Sequence, residues 1–373
     1  MSSNFSDIVS NYSWEEIHDR IRLKNKYDVQ VALGKKKKSL EDFLCLISPS
    51  AFDYIPQMAT QSHLDTVKRF GKTIQLFVPM YLSNECQNIC TYCGFSMGNK
   101  VPRKTLNENE IIKEVEIIKA LGFEHILLVT GEDRIHADLN YILKAIQLIR
   151  PYFAHIAIEV QPFEESEYRK LIEAGCDSVL VYQETYHEEN YKTYHPKGKK
   201  SNYKFRLDTP DRLGRSGIQK IGLGALLGLE DWRTEAFFLA LHLEYLRKKY
   251  WKTQYSISLP RIRPAEGVDN GQFIMNDKEF VQLISAFRLF DGEIDITLST
   301  RENPVFREKL IPLGITTMSA GAKTNPGGYA AKEKSLEQFE ISDERSPQEI
   351  SKVIEQCGYE AVWKNWDLSL NAR

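Results

Sequence analysis

The feature that most constrains this chain is a rhythm that begins at residue 74, where short apolar runs ending on polar or glycine residues alternate with longer amphipathic stretches. The eight runs are IQLFVPMYLSN (74–84), HILLVTGE (125–132), HIAIEVQP (155–162), SVLVYQET (178–185), QKIGLGALLGL (219–229), QYSISLPRIRP (254–264), DITLSTRE (295–302) and ITTMSAGAKT (315–324). Continuous apolar runs are strands covered on both faces, and strands separated by helices form a parallel sheet. The stretches between them read as helices. NENEIIKEVEIIKALG and EESEYRKLIEAG stop at glycine, while WRTEAFFLALHLEYLRKKY and DKEFVQLISAFRLF repeat apolar residues at helical spacing. Eight such units predict an α/β fold, a (β/α)8 TIM-type barrel over residues 71–330. In that architecture chemistry gathers where the strands end, so the polar tails of the runs are the candidate site.

Residues 1–70 read as an N-terminal helical extension: SWEEIHDRIRL opens on a serine cap and two acids, and SLEDFLCLIS has helical spacing. Between them GKKKK (34–38) lacks the strand and the spacing of a phosphate loop and reads as a solvated turn. Residues 331–373 form a charged tail ending in AVWKNWDLSL, expected to pack on the outside of the barrel. With 49 basic and 51 acidic residues the formal charge is -2, which gives no general attraction to nucleic acid or to an anionic membrane. The first residues have no signal-peptide core, and no stretch approaches the roughly 20 apolar residues of a membrane span, so a cytoplasmic location is expected. Six cysteines in such a chain are expected to be reduced and available to metal.

The first run leads into Asn84, Glu85 and then Cys86-x3-Cys90-x2-Cys93, with Tyr92 and Phe95 beside the last thiol. Three thiols on one polar loop are poorly explained by packing. Structural zinc normally takes four protein ligands, and the histidines nearest in sequence, His63 and His125, are remote from the loop. A four-iron, four-sulfur (4Fe-4S) cluster held by three thiolates keeps one iron open, as a cluster that binds a substrate requires. Cluster and zinc are the two readings of the cysteines themselves, and the cluster accounts for the missing fourth ligand.

CQNICTYCGF resembles the signature of the radical S-adenosylmethionine family, with cysteines spaced x3 and x2 and an aromatic before the third. The resemblance implies that Cys86, Cys90 and Cys93 ligate the cluster, that S-adenosylmethionine chelates its open iron, and that Tyr92 lies near the adenine. Thr130-Gly131-Glu132 is similar to the family's Gly-Gly-Glu, which receives the methionine amino group, with threonine replacing the first glycine. YLSNECQNICTYCGFSM, EVQP, VYQETYH, RLDTPDRLGRSGI, GLGALLGL, LSTRE and NPGGY extend the likeness over nearly the whole chain. Within the family they resemble the tyrosine lyases of thiamine thiazole biosynthesis. The implied reaction cleaves the Cα–Cβ bond of L-tyrosine into 2-iminoacetate and 4-methylphenol. The implied partners are a thiazole synthase subunit and a flavodoxin or ferredoxin as electron donor. The related lyase of iron-iron hydrogenase maturation carries a C-terminal extension with further cysteines, whereas after Cys93 this chain has only the isolated Cys176 and Cys357. A tyrosine lyase of the hydrogenase-maturation type or a radical lyase for another aromatic amino acid, and a non-catalytic, zinc-stabilised subunit of the thiazole synthase assembly, are the alternatives.

Particular residues follow from strand ends and from that resemblance. Arg301, closing the seventh run, is the expected clamp for a substrate carboxylate, because guanidinium and carboxylate match through two parallel hydrogen bonds; a structural pair with Glu302 is the competing reading. Ser319, on the eighth run, is placed to add a donor or to cap backbone. Arg215 resembles the arginine that binds the methionine carboxylate in related barrels, although an arginine in a last helical turn also favours the helix dipole. Glu184 sits where relatives place a polar group on the ribose. Glu159 and Gln161 alternate so that both point inward; Glu159 counts as a cofactor-binding candidate, with a hydrogen-bonding barrel layer as the other explanation. Arg261 and Arg263 also share a face and are expected to neutralise inward acids.

Overall fold

The structure, a computed structural model, describes residues 4–264, 273–330 and 337–364. Every apolar run becomes a strand: β1 Thr73–Ser83, β2 His125–Thr130, β3 His155–Glu159, β4 Ser178–Leu180, β5 Lys220–Gly224, β6 Gln254–Ser258, β7 Asp295–Leu298 and β8 Thr317–Ser319. Consecutive strands pair in parallel, and β1 pairs with both β2 and β8, which closes the barrel. The α/β fold expected from the alternation is the one observed.

Strand β1 shows why the runs carry so little polar pattern. Ile74, Leu76, Val78, Met80 and Leu82 are wholly buried beneath the helices, while Phe77, Pro79 and Tyr81 face the interior. The helices start at caps: Asn107 opens Glu108–Ala120 and Asn276 opens Asp277–Phe290, each in a capping box with a glutamate. Gly217, at φ 80°, ends Thr209–Ser216 in the left-handed region that glycine occupies without strain.

At the N-terminal end of the strands the interior is polar. Gln75 is bonded to His125 (2.7 Å), His155 to Ser178 (2.8 Å), and the Lys220 ammonium donates to Asp295 (2.6 Å). Burial, with Lys220 nearby, pushes His125 down to about 4 and His155 well below the usual imidazole range, so both rings are neutral. This layer plugs the barrel and confines any cavity to the opposite end.

The helices Phe5–Val9, Trp14–Arg22, Lys26–Gly34, Leu40–Ile47 and Ile55–Phe70 wrap the outside. Phe5 stacks on His242 with centroids 3.8 Å apart, its N–H donates to Asp211 (2.9 Å), and the Gln282 amide donates to the carbonyls of Leu46 and Ser48 (2.9 Å each). One apolar core therefore runs from Phe5 to Tyr359. The turn at 34–38 is as expected except that Lys38 is buried, its ammonium donating to the carbonyls of Leu33 and Lys35.

The tail departs from its expected place. The helix Pro347–Gln356 and a ninth strand, β9 Glu360–Val362, pack outside against the start of β1, but Gln338 and Phe339 lie in the barrel mouth. Backbone bonds from Gly94 to Gln338 (3.2 Å), Gln338 to Thr324 (3.1 Å) and Ser342 to Thr300 (3.0 Å) stitch this segment across three strand-end loops. Asp343, fully buried between Arg307 and Arg345, anchors it. Polar residues here serve backbone pairing and ion pairs inside the fold, which a reading by charge alone assigns to the surface. Among the described residues no helix is long and apolar enough to cross a membrane.

Candidate active site

The C-terminal ends of all eight strands surround one cavity, and the loop leaving β1 forms one wall of it. Arg103 sets the loop's shape, donating to the carbonyls of Asn84 (2.6 Å), Phe95 (2.9 Å) and Ser96 (2.8 Å). The Asn84 amide donates to the Pro102 carbonyl (2.8 Å), and the Cys90 N–H donates to Ser96 Oγ (3.1 Å). Gly131, at the end of β2, is where the loop rests: a Cβ there would lie 2.2 Å from the Glu85 carbonyl oxygen. That glycine answers to close approach of backbone.

Cys86, Cys90 and Cys93 all face this cavity. Burial pushes the Cys86 thiol up to about 11 and raises the other two, so as free groups they are protonated and unreactive. Their sulfurs do not gather within 4.8 Å of one another. A single tetrahedral zinc, with Zn–S near 2.3 Å, would draw them to about 3.8 Å apart. The spread donor set fits a multi-iron cluster whose corners are separate, and it disfavours one ion. Two buried hydroxyls on the cavity wall, Thr130 Oγ1 and Ser319 Oγ, have no hydrogen-bond partner among the described residues, as expected where a polar ligand completes the site.

Beside the cysteine loop lies a charged network. Glu132 accepts from Arg206 Nη1 (2.7 Å) and from the Asn88 amide (2.9 Å). Glu184 accepts from Lys200 Nζ (2.8 Å), with Arg206 Nη2 at 3.7 Å. Burial works against ionising both acids, but the positive charges of Lys200 and Arg206 outweigh it and hold their carboxyls below the usual range. Glu184 is also the one described non-glycine residue in the left-handed region, at φ 70°, a strained conformation that aims it into the mouth. Tyr92 points its hydroxyl at His195 (2.7 Å), whose Nδ1 is bonded to the Tyr191 carbonyl (2.8 Å). The carbonyl can only accept, so Nδ1 carries the proton and Tyr92 donates to Nε2.

Two other charged groups lining the cavity are unmatched. Among the described residues no hydrogen bond or ion pair reaches the Arg301 guanidinium, which stacks on Phe339 at 3.5 Å. The competing partner Glu302 is taken by Arg261 (Nε at 3.0 Å) and by Arg263 (3.5 Å), the neutralising role expected of those two arginines. Glu159, on β3 between the strands of Glu132 and Glu184, faces the same space with no bonded partner among the described residues, and burial followed by repulsion from Glu184 raises its carboxyl to about 7. Gln161 is turned away, donating to the carbonyls of Asp133 (3.3 Å) and Ala137 (2.7 Å).

One expected residue is not brought to the site. Arg215 donates to Glu165 (2.8 Å) and Asn4 (3.2 Å) outside the cavity. It is held in the outer helix layer: its guanidinium turns to the first turn of the helix Glu165–Glu173 and its carbonyl accepts from Arg169 (2.9 Å), so its bonds are made there and not in the cavity. Arg206 and Lys200 stand in the cavity instead. Arg206 belongs to the motif RLDTPDRLGRSGI, so a signal was present; Lys200, in a lysine run, reads as solvated.

A model of the radical SAM superfamily matches residues 80–241, and one of the Biotin and Thiamin Synthesis associated domain matches residues 258–360. The chain is 47% identical over 364 residues to 2-iminoacetate synthase of Escherichia coli (strain K12), covering 97% of each chain, and 47% identical to that of Salmonella typhimurium (strain LT2) over the same length. The X-ray structure of the FeFe-hydrogenase maturase HydG from Carboxydothermus hydrogenoformans superposes with a TM-score of 0.90 at 29% identity, covering 98% of this chain and 86% of that one. A closed parallel barrel, a three-cysteine loop at its mouth and similarity along nearly the full length thus agree: the chain belongs to the 2-iminoacetate synthase family of the radical S-adenosylmethionine superfamily.

Proposed function

We propose that this chain cleaves L-tyrosine at Cα–Cβ to 2-iminoacetate and 4-methylphenol, with Cys86, Cys90 and Cys93 holding a 4Fe-4S cluster and Glu132, Glu184, Lys200 and Arg206 receiving S-adenosylmethionine. The reading is carried by near-full-length similarity to 2-iminoacetate synthase joined to a cavity with three thiols on one wall and, on another, a guanidinium unpaired among the described residues. When bound, the cluster and S-adenosylmethionine together supply a 5'-deoxyadenosyl radical that removes a hydrogen atom from the substrate.

The protein's own tasks are then binding, orientation and exclusion of water. Arg301 takes the tyrosine carboxylate and Ser319 adds a donor, while Phe77, Leu127 and Leu180 give the ring an apolar wall. Phe339 stacks on the guanidinium and fixes its plane. Gln338 links the Tyr81 hydroxyl (2.7 Å) to the Cys93 sulfur (3.8 Å), tying the tail to the loop. The atoms balance: tyrosine divides into the two products once the abstracted hydrogen is restored to the benzylic carbon as an electron and a proton. A flavodoxin or ferredoxin is the electron donor in this scheme. Because 2-iminoacetate hydrolyses in water, a thiazole synthase subunit is the acceptor that would take it directly.

The test supplies reduced, iron-loaded chain with S-adenosylmethionine and, separately, tyrosine, tryptophan and phenylalanine. 4-Methylphenol and glyoxylate from tyrosine alone, without cyanide or carbon monoxide, is the expected result. Absence of tyrosine-dependent 5'-deoxyadenosine would overturn the proposal.

A further inference from the structure

A charge inventory of the cavity leaves a remainder. Its wall carries three carboxylates, Glu132, Glu159 and Glu184, and three cations, Lys200, Arg206 and Arg301. Arg206 and Lys200 are committed to Glu132 and Glu184 at 2.7 and 2.8 Å. One acid and one base remain, Glu159 at the end of β3 and Arg301 beyond the end of β7, on strands that are not neighbours in the barrel. They feel each other's charge without forming an ion pair, and no other described group is bonded to either side chain. Both residues are half-buried, and a charge drawn even partly out of water is costly unless something pairs with it, so two opposite charges held apart in one cavity suit a ligand that carries both signs.

From this we infer that Glu159 holds the α-ammonium of the amino acid whose carboxylate Arg301 holds, making the pair a zwitterion gauge that selects a free α-amino acid. The assignment rests on the tyrosine reading above and adds the residue that reads the amino end. It also moves Glu159 from the cofactor to the substrate. The competing acids are already neutralised: Glu132 accepts from Arg206 and Asn88, and Glu184 from Lys200, whereas Glu159 has no paired cation among the described residues. Glu184 repels the Glu159 charge while Arg301, Lys200 and Arg206 attract it without pairing to it; an ammonium bonded to Glu159 relieves the repulsion, and the phenol of Tyr182 also lies close enough to respond to that charge. Beside Arg301, Ser319 Oγ is buried without a partner and supplies a donor for the carboxylate end.

The test uses the iron-loaded enzyme with S-adenosylmethionine and measures equilibrium binding of tyrosine, of its desamino analogue 3-(4-hydroxyphenyl)propionate and of its descarboxy analogue tyramine. Wild-type chain should prefer tyrosine to the desamino analogue by about tenfold or more, the effect of one buried charge-assisted bond. Glu159→Gln should erase that preference while keeping the preference of tyrosine over tyramine and the affinity for S-adenosylmethionine. Arg301→Gln should do the reverse, erasing the preference over tyramine alone. Glu159→Asp, which keeps the charge, should retain a preference for tyrosine and guards against a glutamine variant that folds poorly. An unchanged tyrosine to desamino ratio in Glu159→Gln, or an aspartate variant as indifferent as glutamine, would overturn the inference. A loss confined to S-adenosylmethionine affinity would return Glu159 to the cofactor and overturn it equally. Wild-type chain that binds no tyrosine would instead remove the tyrosine reading itself.

Discussion

Two sets of charged groups in the barrel mouth are held on opposite principles. On β2 and β4 and in the loops beside them each has its partner before any ligand arrives: Arg103 is spent on loop carbonyls, Arg206 on Glu132, Lys200 on Glu184. Glu159, on β3 between those two strands, and Arg301, beyond β7, have none among the described residues. A matched network fixes positions and suits a cofactor that must always sit in one place, whereas unmatched, half-buried charges store a demand that a substrate satisfies on each turnover. The contrast predicts that damage to the first set costs structure and cluster together, and damage to the second costs substrate and little else.

The largest break is Cys90→Ala. Removing this buried thiol should abolish 5'-deoxyadenosine formation and reduce the iron found after reconstitution far below the wild-type content, measured by metal analysis and absorbance. Next, Arg206→Ala strands Glu132 and weakens the hold on Glu184, and unfolding by denaturant should register a loss of about 3–5 kcal/mol, the usual result of removing one partner from a buried pair. Gly131→Ala forces the Glu85 carbonyl away, and a loss of about 2 kcal/mol with impaired iron uptake is expected from such overpacking.

These effects also show what was legible beforehand. The eight apolar runs and the cysteine spacing exposed the barrel and the loop because both are local patterns. Strand β9 escaped because Glu360–Val362 is three residues long and its pairing partner lies almost the whole barrel away in sequence. Lys200 and Gln338 escaped because nothing in a lysine run or a charged tail announces that the fold turns it inward. Arg215 was misplaced because the arginine of its motif that the fold turns into the cavity is Arg206, while Glu165 of the adjacent helix holds Arg215 outside it.

The smallest expected effect sharpens the comparison through pH in the iron-free protein. Glu132 and Glu184 titrate below the ordinary carboxylate range when folded, so their support is complete above that range and is lost as pH falls through it. Glu159 has the opposite sign. Titrating at about 7 when folded and at the ordinary value when unfolded, it binds more protons folded over that interval, so stability falls as pH rises from about 4.5 to 7. Glu159→Gln should remove that slope and raise stability at pH 8, on the order of 1 kcal/mol after relaxation around the buried charge, with no gain at pH 4, as thermal unfolding at the two pH values will show.

The division of labour itself is tested most directly by Arg301→Gln in the iron-loaded, reduced enzyme, following iron content, S-adenosylmethionine cleavage without tyrosine, and 4-methylphenol release with it. The account predicts wild-type iron and wild-type basal cleavage, with 4-methylphenol formation reduced by about a hundredfold or more, as for loss of a buried charged contact. Loss of iron in step with loss of product, as in Cys90→Ala, would contradict it.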